Sequence, residues 1–250
     1  MRRLISSGSR FCAIAGVVAL VVGFVAPPAA SAQQMLNFTV GGFVPHGRDC
    51  ISPGCRDRTN GDVLVNNLDF LAFNIKDFNA ATVGAEWLAG LGGNFEAGLG
   101  VGFSTRSVPT VYLDFQNANG TEIEQSLKLR VVPFTATVRF LPMGRHNGIE
   151  PYIGGGVGVF SFRYSETGEF LATDSSIFRG NFVGSGSATG PVILGGVRVP
   201  IGLVGIGGEI RYQSAEGKLP TDQGFAGSSK GTPTIDLGGI TYAFMVNFRF

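Results

Sequence analysis

The stretch Phe95-Glu96-Ala97-Gly98-Leu99-Gly100-Val101-Gly102-Phe103-Ser104-Thr105-Arg106 decides how this chain folds. Its odd positions are apolar except for Thr105 at the end, and its even positions are glycine, serine or charged. A helix would smear both sets around its circumference, and each of the three glycines would cost it about 1 kcal/mol. In a strand, side chains alternate between two faces, so the same residues give one greasy face and one small, polar face. Glu96 and Arg106 lie ten residues apart and fall on the same face, although the face was chosen by its apolar partner.

The division recurs along the chain. Ala81, Val83, Ala85, Trp87, Ala89 and Leu91 oppose Thr82, Gly84, Glu86 and Gly90, and Val132, Phe134, Ala136, Val138 and Phe140 oppose Pro133, Thr135, Thr137 and Arg139. Around Pro191 to Ile201, Ile193, Val197 and Val199 oppose Gly196 and Arg198. In the next segment Val204, Ile206, Ile210 and Tyr212 oppose Glu209, Arg211 and Gln213. The last segment sets Ile240, Tyr242, Phe244, Val246, Phe248 and Phe250 against Thr241, Ala243, Asn247 and Arg249. With Leu36 to Val44, and with Glu150 to Tyr164 read as Glu150 and Tyr152 inward, the count is eight strands.

The even number suits a closed meander, and the connections alternate in length. Those near 92–94, 142–149 and 201–203 are short, and those near 45–78, 107–125, 165–188 and 214–234 are long and polar, as in membrane-spanning barrels. The fold class expected is therefore all-β: an eight-stranded antiparallel up-and-down transmembrane β-barrel. A water-soluble sandwich or barrel also has period two, but its second face would carry Lys, Glu, Asn and Gln. Here that face is mostly Gly, Thr, Ser and Ala, which suits the crowded interior of a narrow barrel. A network of interior charges follows from the phase, comprising Glu86, Glu96, Arg106, Arg139, Glu150, Arg198, Glu209, Arg211 and Arg249.

Composition agrees with that reading. Only 15% of residues are charged, against 44% hydrophobic and 39 glycines in 250 residues, which fits neither a disordered chain nor an ordinary soluble domain. A formal net charge of +1 without a Lys/Arg cluster excludes a nucleic-acid binder. At the start, Arg2, Arg3 and Arg10 precede an apolar run from Phe11 to Val25, followed by Pro27-Pro28 and Ala30-Ser31-Ala32. This is the pattern of a cleavable Sec signal peptide over 1–32, leaving a barrel domain over 33–250. The run is too short to span a membrane as a helix. In an oxidising exported compartment Cys50 and Cys55 are expected to form a local disulfide.

The segments Asn94 to Phe103, Val132 to Pro142 and Pro151 to Gly158, together with the terminal Phe250, resemble the outer-membrane β-barrel domain family of small eight-stranded porin-like, opacity-protein-like and adhesin-like proteins. The resemblance covers nearly the whole chain after residue 32 and implies residence in the outer membrane of a Gram-negative bacterium, among its lipids. Tyr242, Phe244, Phe248 and Phe250 are similar to the C-terminal signal read by the barrel-assembly machinery, with Met245 where such signals often carry glycine. The resemblance also implies a structural or surface-interaction role, with the loops as the place for an extracellular partner.

Two other classes remain. A narrow channel or a conduit for small hydrophobic molecules would need an open interior, and nine interior charges argue for a closed one. A lipid-modifying enzyme needs a nucleophile and a base within reach. The two histidines, His46 and His146, are expected at opposite ends of the barrel, so enzymatic activity is not expected. No cofactor or metal is expected either. Asp57 to Asp62 only superficially resembles a calcium loop and reads as a solvated segment.

Overall fold

The structure is a computed structural model that describes residues 33–46, 61–145, 148–172, 174–225 and 232–250. The signal peptide over 1–32, Cys50, Cys55 and His146 lie outside the described residues. Among the described residues there are ten strands: β1 (Gln34–Pro45), β2 (Ala80–Gly90), β3 (Phe95–Gln116), β4 (Glu122–Phe140), β5 (Glu150–Leu171), β6 (Ile177–Ile201), β7 (Val204–Gln213), β8 (Glu216–Lys218), β9 (Thr234–Asp236) and β10 (Gly239–Arg249). Eight of them, β1 to β7 and β10, close a barrel in which every neighbour is antiparallel and adjacent along the chain, β10 pairing with β1. The other two form a small separate sheet.

Strand closure leaves no free edge in the lower part of the barrel, near the short turns, and every outward apolar residue there faces away from the protein. Ile153 and Val157 are 64% and 60% exposed, whereas Tyr152, immediately before Ile153, is buried. Along β4 the outward apolar residues run from Val132 to Phe140, which at about 3.4 Å per residue and a tilt near 40° makes a band about 20 Å tall, close to the ~25 Å of membrane-spanning barrels. Aromatic residues gather at the band's short-turn edge. Phe95 and Phe140 are in ring contact across β3 and β4, Phe38 meets Phe248 across β1 and β10, and Trp87 donates Nε1–H to Gln34. This inside-out distribution is that of a transmembrane β-barrel.

The long connections expected at 107–125 and 165–188 are strand for most of their length. β3 and β4 continue as a hairpin to a turn at 117–121, and β5 and β6 continue to a turn at 172–176. The reason is a reversal of chemistry at constant period. On β4 the inward residues change from Arg139, Thr137 and Thr135 to Val131, Leu129, Leu127 and Ile123, while the outward ones change from Val138 and Phe134 to Arg130, Lys128 and Glu124. On β5 the inward face becomes Phe160, Phe162 and Tyr164 above the glycines. Above the band, the tall wall is an ordinary water-facing sheet with its greasy side inward.

That greasy side is covered by the remaining two connections. Helix α1 (Val63–Asn67), the 3₁₀ turn Ile75–Phe78, and the β8–β9 region with Leu219 and Phe225 fold onto it, forming one apolar core. The chain is thus two-tiered: a polar-filled barrel below and an apolar-filled head above.

Candidate functional site

In the lower tier, strand alternation sends charged side chains from seven strands, β2 to β7 and β10, into one narrow space. Arg139 of β4 is paired with Glu86 of β2, and its Nη2 lies 2.8 Å from Glu209 Oε2 of β7. Arg211 Nη2 lies 2.8 Å from Glu209 Oε1 and 3.5 Å from Glu86. The Tyr152 hydroxyl donates to Glu209 Oε2 at 3.0 Å, and the Arg139 guanidinium sits 4.7 Å from the Tyr152 ring centre.

A second group lies toward the short turns. Arg198 Nε donates to Glu150 Oε2 at 2.6 Å and its Nη1 to Glu96 Oε2 at 2.9 Å, while Arg249 Nη2 reaches the same Glu150 oxygen at 2.6 Å. Arg145 enters from the 141–149 turn, with Nε 3.3 Å from Glu96 Oε1. Burial of this partly enclosed guanidinium pulls its pKa down, against the upward pull of Glu96. The two groups meet at Tyr152, whose ring centre is 5.8 Å from the Arg198 guanidinium.

Side chains fill the space. Arg139 and Glu150 are 0% exposed, Arg198 1% and Tyr152 2%, so water-sized space does not reach them from either end. Glycine makes this possible: a Cβ on Gly98 would lie 2.7 Å from both Glu86 Oε1 and Thr137 Oγ1, and one on Gly196 would lie 2.5 Å from the Tyr152 hydroxyl.

Eight of the nine expected interior charges are therefore brought together. Arg106 is the correction. It keeps the inward phase but sits at the upper mouth of the barrel, exposed, and donates Nε–H to the Asp77 carbonyl at 2.8 Å instead of to a carboxylate. The pairing of β2 with β3 ends at Thr82 and Ser104, below the level of Arg106. Sequence reasoning missed Arg145, and the four carboxylates and four other arginines balance without it, so charge accounting gives no hint of a fifth. Tyr152 was legible as an inward residue two positions from Glu150.

The head has its own buried polar joint. Asn67 Nδ2 donates to Glu166 Oε1 at 2.7 Å and to the Tyr164 oxygen at 3.1 Å, and the Tyr164 hydroxyl donates to Glu166 Oε1 at 2.8 Å. Burial pushes the Glu166 carboxyl above its ordinary range against these hydrogen bonds. Asp62 caps α1 by accepting from Leu64 N at 2.8 Å and Val65 N at 3.2 Å, and its other oxygen accepts from Asp236 N at 2.8 Å. The segment ending at Asp62 reads as solvated from sequence, yet Asp62 is buried and its carboxyl is pushed up by that burial. This residue ties the first long connection to β9.

His46 lies on the rim with Nδ1 3.6 Å from Asp236 Oδ2 and is largely exposed. Tyr242, Phe244, Phe248 and Phe250 all face outward from β10 and its end.

No family model matches the chain, and no curated protein matches it. Among solved structures, the chain is similar to Neisserial surface protein A, at 9% identity and a TM-score of 0.45 over 89% of this chain and 100% of that one. It is also similar to the attachment invasion locus protein Ail of Yersinia pestis, solved in complex with the heparin analogue sucrose octasulfate, at 11% identity and a TM-score of 0.43 over 88% and 99%. A third is the N-terminal β-barrel domain of OprF of Pseudomonas aeruginosa, at 12% identity and a TM-score of 0.37 over 87% and 97%. Identities this low carry no residue's role across to this chain.

Proposed function

We propose that this chain is an integral outer-membrane protein of a Gram-negative cell, exported by a cleaved signal peptide, whose barrel is a sealed anchor and whose head is displayed at the cell surface for structural or adhesive contact. The observation that carries the reading is the filled interior: buried arginine–glutamate pairs close the lower tier, and α1 with the β8–β9 region packs the upper tier. A conducting pore needs a wetted path, and the lower tier offers none beside Arg139, Glu150 or Arg198. The apolar band supports membrane residence, because the same residues facing water would form an exposed greasy girdle. The charged groups of the interior are committed to one another, which supports a role without catalysis.

Two measurements test this. The protein extracted from outer membranes should migrate differently on gels before and after boiling, and planar bilayers containing it should show no stepwise conductance. A protein released in the soluble fraction would refute the anchor, and reproducible unitary currents would refute the seal.

A further inference from the structure

On the outward faces of β4 and β5, chemistry changes within two outward positions of the band's upper edge. Arg130 is the first outward residue past Val132, Lys128 is the second, and Arg163 is the second past Val159. Arg130 and Arg163 are direct partners across the two strands, and all three cations are exposed. Like charges placed opposite each other on one sheet face repel. Among the described residues no side chain pairs with any of the three. The nearest outward carboxylates of the same strands, Glu124 and Glu169, lie six residues beyond Arg130 and Arg163, about 20 Å along the strand, and Glu124 lies four residues beyond Lys128.

Height identifies what neutralises them. A bilayer's headgroup layer extends roughly 5–8 Å beyond its hydrocarbon. At the same rise and tilt Arg130 stands about 5 Å above Val132 with Arg163 paired beside it, within that layer, and Lys128 stands about 10 Å above Val132, just past the layer's outer edge. The geometry points to a phosphate-bearing lipid headgroup, in the leaflet on the long-hairpin side, held between Arg130 and Arg163 with Lys128 above it. Guanidinium groups suit this role because their forked donors match phosphate oxygens two at a time. The neighbouring strands offer Thr105 and Ser185 at the same level, so hydroxyl donors flank the arginine pair. An acidic protein would have to displace headgroups already at this depth. This assignment rests on the membrane reading above.

The test uses the full mature chain in phosphatidylcholine nanodiscs doped with phosphatidic acid, with retained lipid counted by native mass spectrometry. Wild type should enrich phosphatidic acid over phosphatidylcholine at least about tenfold more than K128S/R130S/R163S, and R130K/R163K should recover part of that preference. All three proteins should keep the gel shift on heating. Equal enrichment by wild type and triple variant would overturn the inference, and so would displacement of the lipid by inorganic phosphate at equal concentration, which would assign the cluster to a soluble anion. Loss of the heating shift in wild type itself would mean that the membrane reading has failed, whereas a normal shift without lipid preference would overturn this inference alone.

Discussion

Glu150 and Arg198 are direct partners across β5 and β6, and one carboxylate oxygen of Glu150 takes hydrogen bonds from both Arg198 and Arg249. Substituting the acid leaves two guanidiniums facing each other in a space that water does not reach. Truncating one partner of such a buried pair costs about 3–5 kcal/mol. Glu150→Ala should therefore lower the urea midpoint of the detergent-folded barrel strongly, and Arg198→Met should do the same. The double variant should lose less than the sum of the two, and strict additivity would show that the pair does not act as a unit.

Gly156 has no room for a side chain. An added Cβ would lie 1.9 Å from the Ala136 carbonyl oxygen and 2.8 Å from the Thr137 Cα, both rigid backbone of the neighbouring strand. Gly156→Ala should abolish the heat-modifiable folded form or cost several kcal/mol. Gly42 has nothing within 4 Å of the same added atom, so Gly42→Ala should stay within about 0.5 kcal/mol of wild type. Refolding yields of the two variants in vesicles compare them directly, and equal yields would contradict the packing described here.

The barrel was legible because its code is local. Phe95 to Arg106 alternates within one strand, and Glu209 and Arg211 share one face of the next-to-last barrel strand. The head was not legible, because apolar residues pointing outward mark only the band, and above it the apolar face turns inward. Leu127, Leu129 and Val131 alternate just as well with Lys128 and Arg130, but with the faces exchanged, so the extension lacks the outward apolar pattern of a membrane strand. The covering segments were hidden for a different reason: Asn67 meets Glu166 across 99 residues of sequence, and no short-range periodicity encodes such a contact.

The boundary between tiers predicts opposite tolerances on one outward face of β5. Val157→Arg places a guanidinium inside the band and should cost about 2–4 kcal/mol of folding stability in lipid vesicles. Thr167→Arg lies on the water-facing part of the same strand, and should change stability by less than about 0.5 kcal/mol. Equal costs at both positions would mean that the band does not face hydrocarbon.

Glu166 should make the head sensitive to pH. Its carboxyl is pushed above the ordinary glutamate value of 4.5, chiefly by burial. The folded state therefore holds the proton more tightly than the unfolded state, and its stability falls as pH rises from that ordinary value through the raised one. Asp62 is shifted in the same direction, so the two effects add. Protection factors at α1 and the 3₁₀ turn, with the intrinsic pH dependence of amide exchange divided out, should be higher at pH 5 than at pH 7.5. Glu166→Gln keeps an acceptor for Asn67 and Tyr164 without the charge, and should flatten much of this dependence while leaving the lower barrel's exchange unchanged. A slope that survives Glu166→Gln intact would place the responsible group elsewhere in the head, with Asp62 the next to substitute.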